Sequence, residues 1–453
     1  MARPVTLLSA ALLALTAASS VIAWNEHQEL VTQAPVVQKA AIVESENDAL
    51  RDALEAAKIE AANAQNVLRR AEIEKVVTAI RELPFSMPVA YDVLDKDTIR
   101  QVVARKLSEQ YTDQELADMA TGLSAFGLLP PNFPLKQTYI DLLGEQIGAF
   151  YDQHQHKLFM FRDASLENAQ NRVILAHELT HALQDQNFGL LKLPLEIKNN
   201  DDQAEAASAL VEGDATLVMS QYMAQDMTWR TLTDTVTYTA TQRMEQIRKA
   251  PHFLREMLVF PYLKGQLFCS AVFARGGFQA LSDVYAHPPA STAQILHPEK
   301  YFAETREDPI PVTFKDTTFG GQKPLADNVL GEMGTRLLFE QYMTDSDKAD
   351  SIAAGWRGDR YLVYEGGKEL VWTTVWSSQQ AAEAAVQAMG YMCTQRFNFV
   401  YPLRGGTGYM SSSGSDHPLS IYVHNTNQVV MILAPDSESC DLLNRQFGGN
   451  SNG

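Results

Sequence analysis
Apolar side chains recur at alternating steps of four and three early in the chain, at Val43, Leu50, Leu54, Ala57, Ala61, Ala64, Leu68 and Ala71, with Asn47 the single polar residue on that seam. A mean step of about 3.5 residues predicts a helix whose apolar edge can pack on a second helix as a coiled coil. The stretch from Val36 to Leu83 lacks glycine and proline, and Pro84 and Pro88 end it. A lone polar residue on such a seam fixes register between helices, so the segment points to a homo-oligomer; a single amphipathic helix or a stalk is the alternative.

Past Pro88 the pattern shortens. Helical spacing covers Ile99 to Leu107 and Gln114 to Phe126, and Pro130, Pro131 and Pro134 mark a loop. Apolar runs at Gln146 to Tyr151 and Lys157 to Phe161 flank Asp152-Gln153-His154-Gln155-His156, which predicts a hairpin. After Pro309 the expected elements are a helix over Val329 to Met343, strands over Tyr361 to Tyr364 and Leu370 to Val375, and a helix over Ser378 to Met389. Strands follow over Phe397 to Tyr401, Leu419 to His424 and Val429 to Leu433. The reading is a mainly helical α+β protein: a leader at 1–23, a coiled-coil or helical stalk at 24–83, a catalytic domain at 84–305, an α+β domain at 306–445 and a disordered tail at 446–453.

At the amino terminus Arg3 precedes an apolar run from Val5 to Ala18, and Val21-Ile22-Ala23 suits a cleavage site, so the chain reads as exported to the periplasm or cell envelope. No charge occurs from Pro4 to Asn25, so the same stretch, left uncut, would serve as a single membrane anchor. The 453 residues are 45% hydrophobic and 20% charged, as expected of a folded globular chain. With Lys+Arg 37 against Asp+Glu 55 the net charge is -18, which offers no field to gather phosphates, and no nucleic-acid partner is expected. Three cysteines are too few for a disulfide framework; Cys393 and Cys440 are the pair that can bridge, and Cys269 sits in an apolar run.

The chemistry concentrates in Ala176-His177-Glu178-Leu179-Thr180-His181-Ala182-Leu183-Gln184-Asp185. Residues i and i+4 stand one turn apart on a helix, so His177 and His181 can aim two imidazoles at one zinc ion, with Glu178 beside the open position as general base. Catalytic zinc usually takes three protein ligands. The next helical stretch, Gln203 to Thr216, carries Glu205 and Glu212, two turns apart on one face. Glu212 is favoured over Glu205 because apolar neighbours surround it and Gly213 lets another backbone come close. Asp185, one turn after His181, and Asp214 are candidates to accept the outer ring N–H of a ligand histidine.

These residues resemble the gluzincin clan of metallopeptidases, with its thermolysin-like active-site helix, and more closely a poorly characterised bacterial family of exported zinc metallopeptidases. The resemblance is carried by Glu145 to Asp152, the run Ala176 to Gln186, Ala209 to Ala215, Pro261 to Gly265, Pro288 to Thr292 with His297 to Tyr301, and Gly355 to Arg360. It implies a zincin-like fold and supports Glu212 as third ligand. A peptidase also needs an electrophile for the tetrahedral oxyanion, for which His297, Tyr262 and Tyr301 are candidates. His154 and His156 are a weaker metal pair, and the strand Lys157 to Phe161 is expected to edge the cleft and pair with an extended peptide. The expected activity is zinc-dependent hydrolysis of a protein or peptide substrate. The alternatives are an idle envelope scaffold with a structural zinc and a zinc hydrolase of a non-peptide cell-wall bond.

Overall fold
A computed structural model describes residues 39, 43–58, 65–146, 149–161, 164–226, 249–397, 400–402, 408–411 and 416–448, and it divides into two units, Met1–Arg69 and Arg70–Gly453. The expected leader at 1–23 lies outside the described residues. In the first unit helix α1 covers 43–58, as the seam predicts there; Ala61 and Ala64 lie outside the described residues.

Helix α2 covers 65–81, and from Arg70 onward it belongs to the second unit. Ile73, Val77 and Ile80 follow one another at i, i+4 and i+7 and are all buried in the main core. The stalk expected to reach Leu83 is therefore corrected: residues 70–83 belong to the globular body, because this second apolar stripe requires a surface to cover it.

The second unit continues with β1 (Ala90–Leu94), α3 (Lys96–Gln110), α4 (Asp113–Phe126), α5 (Leu135–Gln146), β2 (Ala149–Asp152) and β3 (Lys157–Phe161). Then come the long helices α6 (Ala169–Phe188), α7 (Asp201–Asp226) and α8 (His252–Val284), followed by short α9 (Thr292–Leu296) and α10 (Pro298–Tyr301). The last part holds β4 (Ala326–Asn328), α11 (Gly331–Tyr342), α12 (Ser346–Ala353), β5 (Trp356–Val363), β6 (Leu370–Trp376) and α13 (Gln379–Phe397). It ends with β7 (Val400–Pro402), β8 (Gly408–Ser411), β9 (Leu419–Asn425), β10 (Gln428–Leu433) and α14 (Ser437–Phe447). The chain is α+β and mainly helical, as expected. The hairpin flanking 152–156 is present as antiparallel β2 and β3, with Tyr151 opposite Leu158.

Two sheets organise the strands, a small one in the order β1-β3-β2 and a seven-stranded one in the order β4-β5-β6-β10-β9-β8-β7. Every pairing in the larger sheet is antiparallel. Its two faces are both covered, which is why β6 is buried along its whole length rather than in alternation. Trp372 and Met431 join the main core with Met389 and Cys393 of α13, while Val371, Val430 and Ile432 pack with Cys440, Leu443 and Phe447 of α14. Cys393 and Cys440 thus lie on opposite faces of one sheet, and all three cysteines are free thiols, which corrects the expected bridge. Helix α14 runs through the buried Phe447, so the carboxy-terminal domain extends past the expected limit at 445.

The division expected between 84–305 and 306–445 is also corrected, because one core runs across it. Phe126 of α4 meets the rings of Tyr361 and Trp372 edge-on at 5.1 and 5.2 Å. Beneath them the buried Asp359 accepts from the backbone N–H groups of Leu330 and Gly331 and from the indoles of Trp356 and Trp372, at 2.9 to 3.0 Å. Nearby, Asp202 accepts from the backbone N–H and the hydroxyl of Thr292.

Burial pushes the Asp202 carboxyl up to about 7; the Thr292 hydrogen bonds oppose this, and the neighbouring Asp359 and Glu332 add to it. An acid whose folded pKa is raised favours the neutral form, so its stabilising contribution is present at acid pH and is lost as pH rises from the unfolded value of 3.8 through 7. Asp202→Asn keeps an acceptor for Thr292 and carries no charge. It is expected to melt a few degrees above wild type at pH 8, roughly 2 kcal/mol, with the gap closing near pH 4. Thermal melts at both pH values check this, and a variant that melts lower at pH 8 rejects it.

Candidate metal centre
Helix α6 opens on Asn168, whose side chain accepts from the Gln170 N–H, and closes on Gly189 in the left-handed conformation. Between these caps Leu175, Ala176, Leu179, Ala182 and Leu183 are fully buried, so the helix runs largely through the interior. It carries His177 and His181, both buried, and the partly exposed Glu178. Helix α7 lies against α6 and supplies Glu212.

A close crossing fixes how α7 sits against α8. A Cβ at Gly213 would fall 2.2 Å from the carbonyl carbon of Gly265, and one at Gly265 would fall 2.1 Å from the carbonyl oxygen of Ala209. Only glycines permit this backbone approach, as Gly213 suggested in the sequence, and it holds Glu212 in the same turn.

The three expected ligands converge. His177 Nε2 lies 3.1 Å from Glu212 Oε2 and 3.0 Å from His181 Nε2, and His181 Nε2 lies 3.5 Å from Glu212 Oε2. Zinc ligands at about 2.0–2.2 Å in tetrahedral array stand about 3.3–3.5 Å from one another, so the triangle fits such an ion. Among the described residues this is the one His/Cys/Asp/Glu group with that convergence. Burial pushes the Glu212 carboxyl up, but the charge of His181 and the hydrogen bonds from both imidazoles outweigh it and hold the group well below the usual carboxylate range. Glu205 is not part of the group. Burial, with the charges of Asp201 and Asp202, raises its carboxyl to about 8.

Glu178 stands beside the triangle. Its Oε2 accepts from the Tyr151 backbone N–H at 2.8 Å. Burial raises its carboxyl, the two histidines lower it, and Glu212 raises it further. Tyr151 lies on β2, an outer strand of the small sheet, whereas β3 is its central strand. The cleft edge expected at Lys157 to Phe161 is therefore corrected, since a strand paired on both sides has no free edge to offer a peptide.

Orientation of the ligands comes from residues the sequence reading largely missed. His181 Nδ1 meets Gln184 Oε1 at 2.9 Å, while Gln184 Nε2 donates to the Val211 carbonyl at 3.0 Å and to Asp214 Oδ2 at 3.2 Å. With its amide nitrogen held by two acceptors, Gln184 turns its oxygen to the ring and accepts from His181 Nδ1, and Nε2 would bind a cation once it gives up the proton it shares with Glu212. Asp214 in turn accepts from Arg81 Nε at 3.0 Å and from the Tyr285 hydroxyl at 2.8 Å, and Arg81 and Asp214 are both fully buried. Asp214 is thus one step further from the histidine than expected. His177 Nδ1 is buried and has no hydrogen-bond partner among the described residues.

Asp185 does not reach either ligand. It accepts from the Tyr151 hydroxyl at 2.8 Å and from the Leu190 N–H at 3.0 Å, and His156 Nδ1 lies 2.7 Å away, so it clasps the β2–β3 hairpin to α6. His154 pairs instead with Glu196 at 2.7 Å, which separates the two histidines considered as a metal pair. Two oxyanion candidates are engaged elsewhere: His297 Nε2 and Lys300 Nζ hold Glu332 at 2.6 and 2.8 Å, and the Tyr301 hydroxyl donates to the His287 carbonyl at 2.7 Å. Tyr262 of α8 remains at the site, its ring 6.1 Å from that of His177 and partly exposed.

Residues 318–444 match a domain of unknown function, DUF8575. That stretch holds all seven strands of the larger sheet with α11 to α13 and most of α14, and none of the converging residues. A comparison with curated proteins gives no match. Among solved structures, a Chloroflexus aurantiacus protein described as a hydrolase candidate with a novel fold is 17% identical, and the likeness covers 52% of this chain and 88% of that one. The TM-score is 0.32, too low to fix a shared fold or activity.

Proposed function
We propose that this chain is a zinc-dependent hydrolase with a zincin-like active site, exported to or tethered at the cell envelope, and that its substrate is a peptide bond. The observation that carries the reading is the convergence of His177, His181 and Glu212 with Glu178 held alongside by the Tyr151 N–H. A zinc ion held by those three residues would supply Lewis acidity toward water and the scissile carbonyl. Glu178 Oε2 is occupied by Tyr151, which leaves Oε1 to accept the proton of the attacking water and return it to the leaving amine. Beyond the Tyr151 N–H, which Glu178 takes, β2 is an outer strand whose remaining outward backbone groups would pair with an extended chain, and this favours a peptide over a non-peptide bond. Of the three oxyanion candidates, Tyr262 is favoured because its ring stacks on that of His177.

Purified wild type is expected to carry about one zinc per chain, as a three-residue catalytic site requires. His177→Ala and His181→Ala are each expected to lose it after dialysis against a weak chelator, read by elemental analysis. A peptide library digested by the wild type and left intact by both variants supports the peptidase. Full zinc in both variants removes the site, and zinc without cleavage of any peptide removes the substrate class.

A further inference from the structure
The seam of α1 lies open: Val43, Leu50 and Leu54 are 48, 67 and 55% exposed on the described helix. In heptad terms Val43, Leu50 and Ala57 occupy d positions, and Asn47 and Leu54 occupy a positions. Charges flank the seam on both sides, with Lys39 and Glu46 at g and Glu44 and Arg51 at e. The seam also has an end. Beyond Ala71 its next two positions are Lys75 and Thr78, while the apolar stripe of Ile73, Val77 and Ile80 serves the core instead.

We infer that this face binds a second copy of the chain as a parallel, in-register, two-stranded coiled coil. Two independent features choose that arrangement. In a parallel pair each a residue meets its own counterpart, so Asn47 faces the partner's Asn47 and the amides satisfy one another; an antiparallel pair would set Asn47 against a leucine or alanine at d. In the same register each g residue faces the e residue five positions on in the other helix, which brings Lys39 to the partner's Glu44 and Glu46 to the partner's Arg51. Both contacts are attractive and occur twice by symmetry. Within its own helix Arg51 meets Asp48 at 3.1 Å with both side chains well exposed, a contact weak enough to exchange. Ala57, the last seam residue of α1, adds little apolar contact, so the association is of moderate strength.

The test uses the full chain in detergent, carrying one added cysteine at Val43, Leu50 or Ala57; the native thiols are buried. Oxidation is expected to yield covalent dimers with all three, and little with Asp52→Cys on the outer face. An antiparallel pair could trap same-residue bonds near only one of the positions, so crosslinking at a single site overturns the orientation. In sedimentation, Glu46→Arg is expected to weaken the dimer about tenfold, as two attractive pairs become repulsive, and Arg51→Glu added to it is expected to restore the affinity. A wild-type chain that sediments as a monomer at tens of micromolar, or a double variant no tighter than the single one, overturns the proposal. Zinc content measured alongside tells loss of the dimer from loss of the fold.

Discussion
Glu178→Gln is expected to hold zinc at the wild-type level and to lose about three orders of magnitude or more in kcat, the scale set by removing a general base from a pre-formed site. Gln retains the oxygen that accepts from the Tyr151 N–H, so the hairpin keeps its place and KM should change little. The measurement is kcat and KM on a substrate found in the library digest, with zinc determined on the same sample. Loss of zinc would show that Glu178 supports the ligands rather than the chemistry. Unchanged turnover would remove its role altogether.

Arg81→Met is expected to be the most destabilising single substitution outside the ligand set. It leaves Asp214 buried without its cation, a situation that typically costs about 3–5 kcal/mol. Tyr285 and Gln184 would still donate to the carboxylate, but the carboxylate would no longer be fixed by the guanidinium that shares Oδ2 with them. Zinc affinity should therefore fall about 10–100-fold in the fraction that folds, the range seen when groups behind a ligand are lost. Chemical denaturation and competitive zinc titration separate the two effects. The paired change Arg81→Met with Asp214→Leu should recover most of the stability and not the affinity, because the charge is gone but Gln184 has lost an acceptor. Recovery of both would assign the pair a purely structural part.

The convergence of His177 and His181 was legible because a helix converts a spacing of four into a shared face and chemistry restricts which side chains can bind a cation. Glu212 was legible through Gly213, whose lack of a side chain has the expected cause in Gly265. What lay behind the ligands was not. Gln184 and Asp185 both stand one turn beyond His181, and local spacing cannot say which one meets the ring; the answer depends on Val211, Asp214 and Arg81, the last 133 residues away from Asp214 in sequence. The order of the small sheet was hidden for the same reason. β1, Ala-Tyr-Asp-Val-Leu, is exposed along most of its length and has no clean alternation, so nothing local announces it as the strand that makes β3 central. Helix α8 is apolar on most sides and kinked at Gly276 and Gly277, which blurs the period that reveals a helix. The stalk's limit was misplaced because Pro84 and Pro88 mark where the helix stops, not where its side chains begin to be covered.

The separation of Cys393 from Cys440 by a sheet bears on how the molecule matures. Burial raises the thiols of Cys393 and Cys440 to about 12 and about 11 and pushes Cys269 well above its ordinary value, so none presents a thiolate near neutral pH in the folded chain. Oxidants and disulfide-exchange catalysts act on thiolates and find none here. No disulfide ties the native fold together, so its maturation makes no demand on an oxidative assembly pathway.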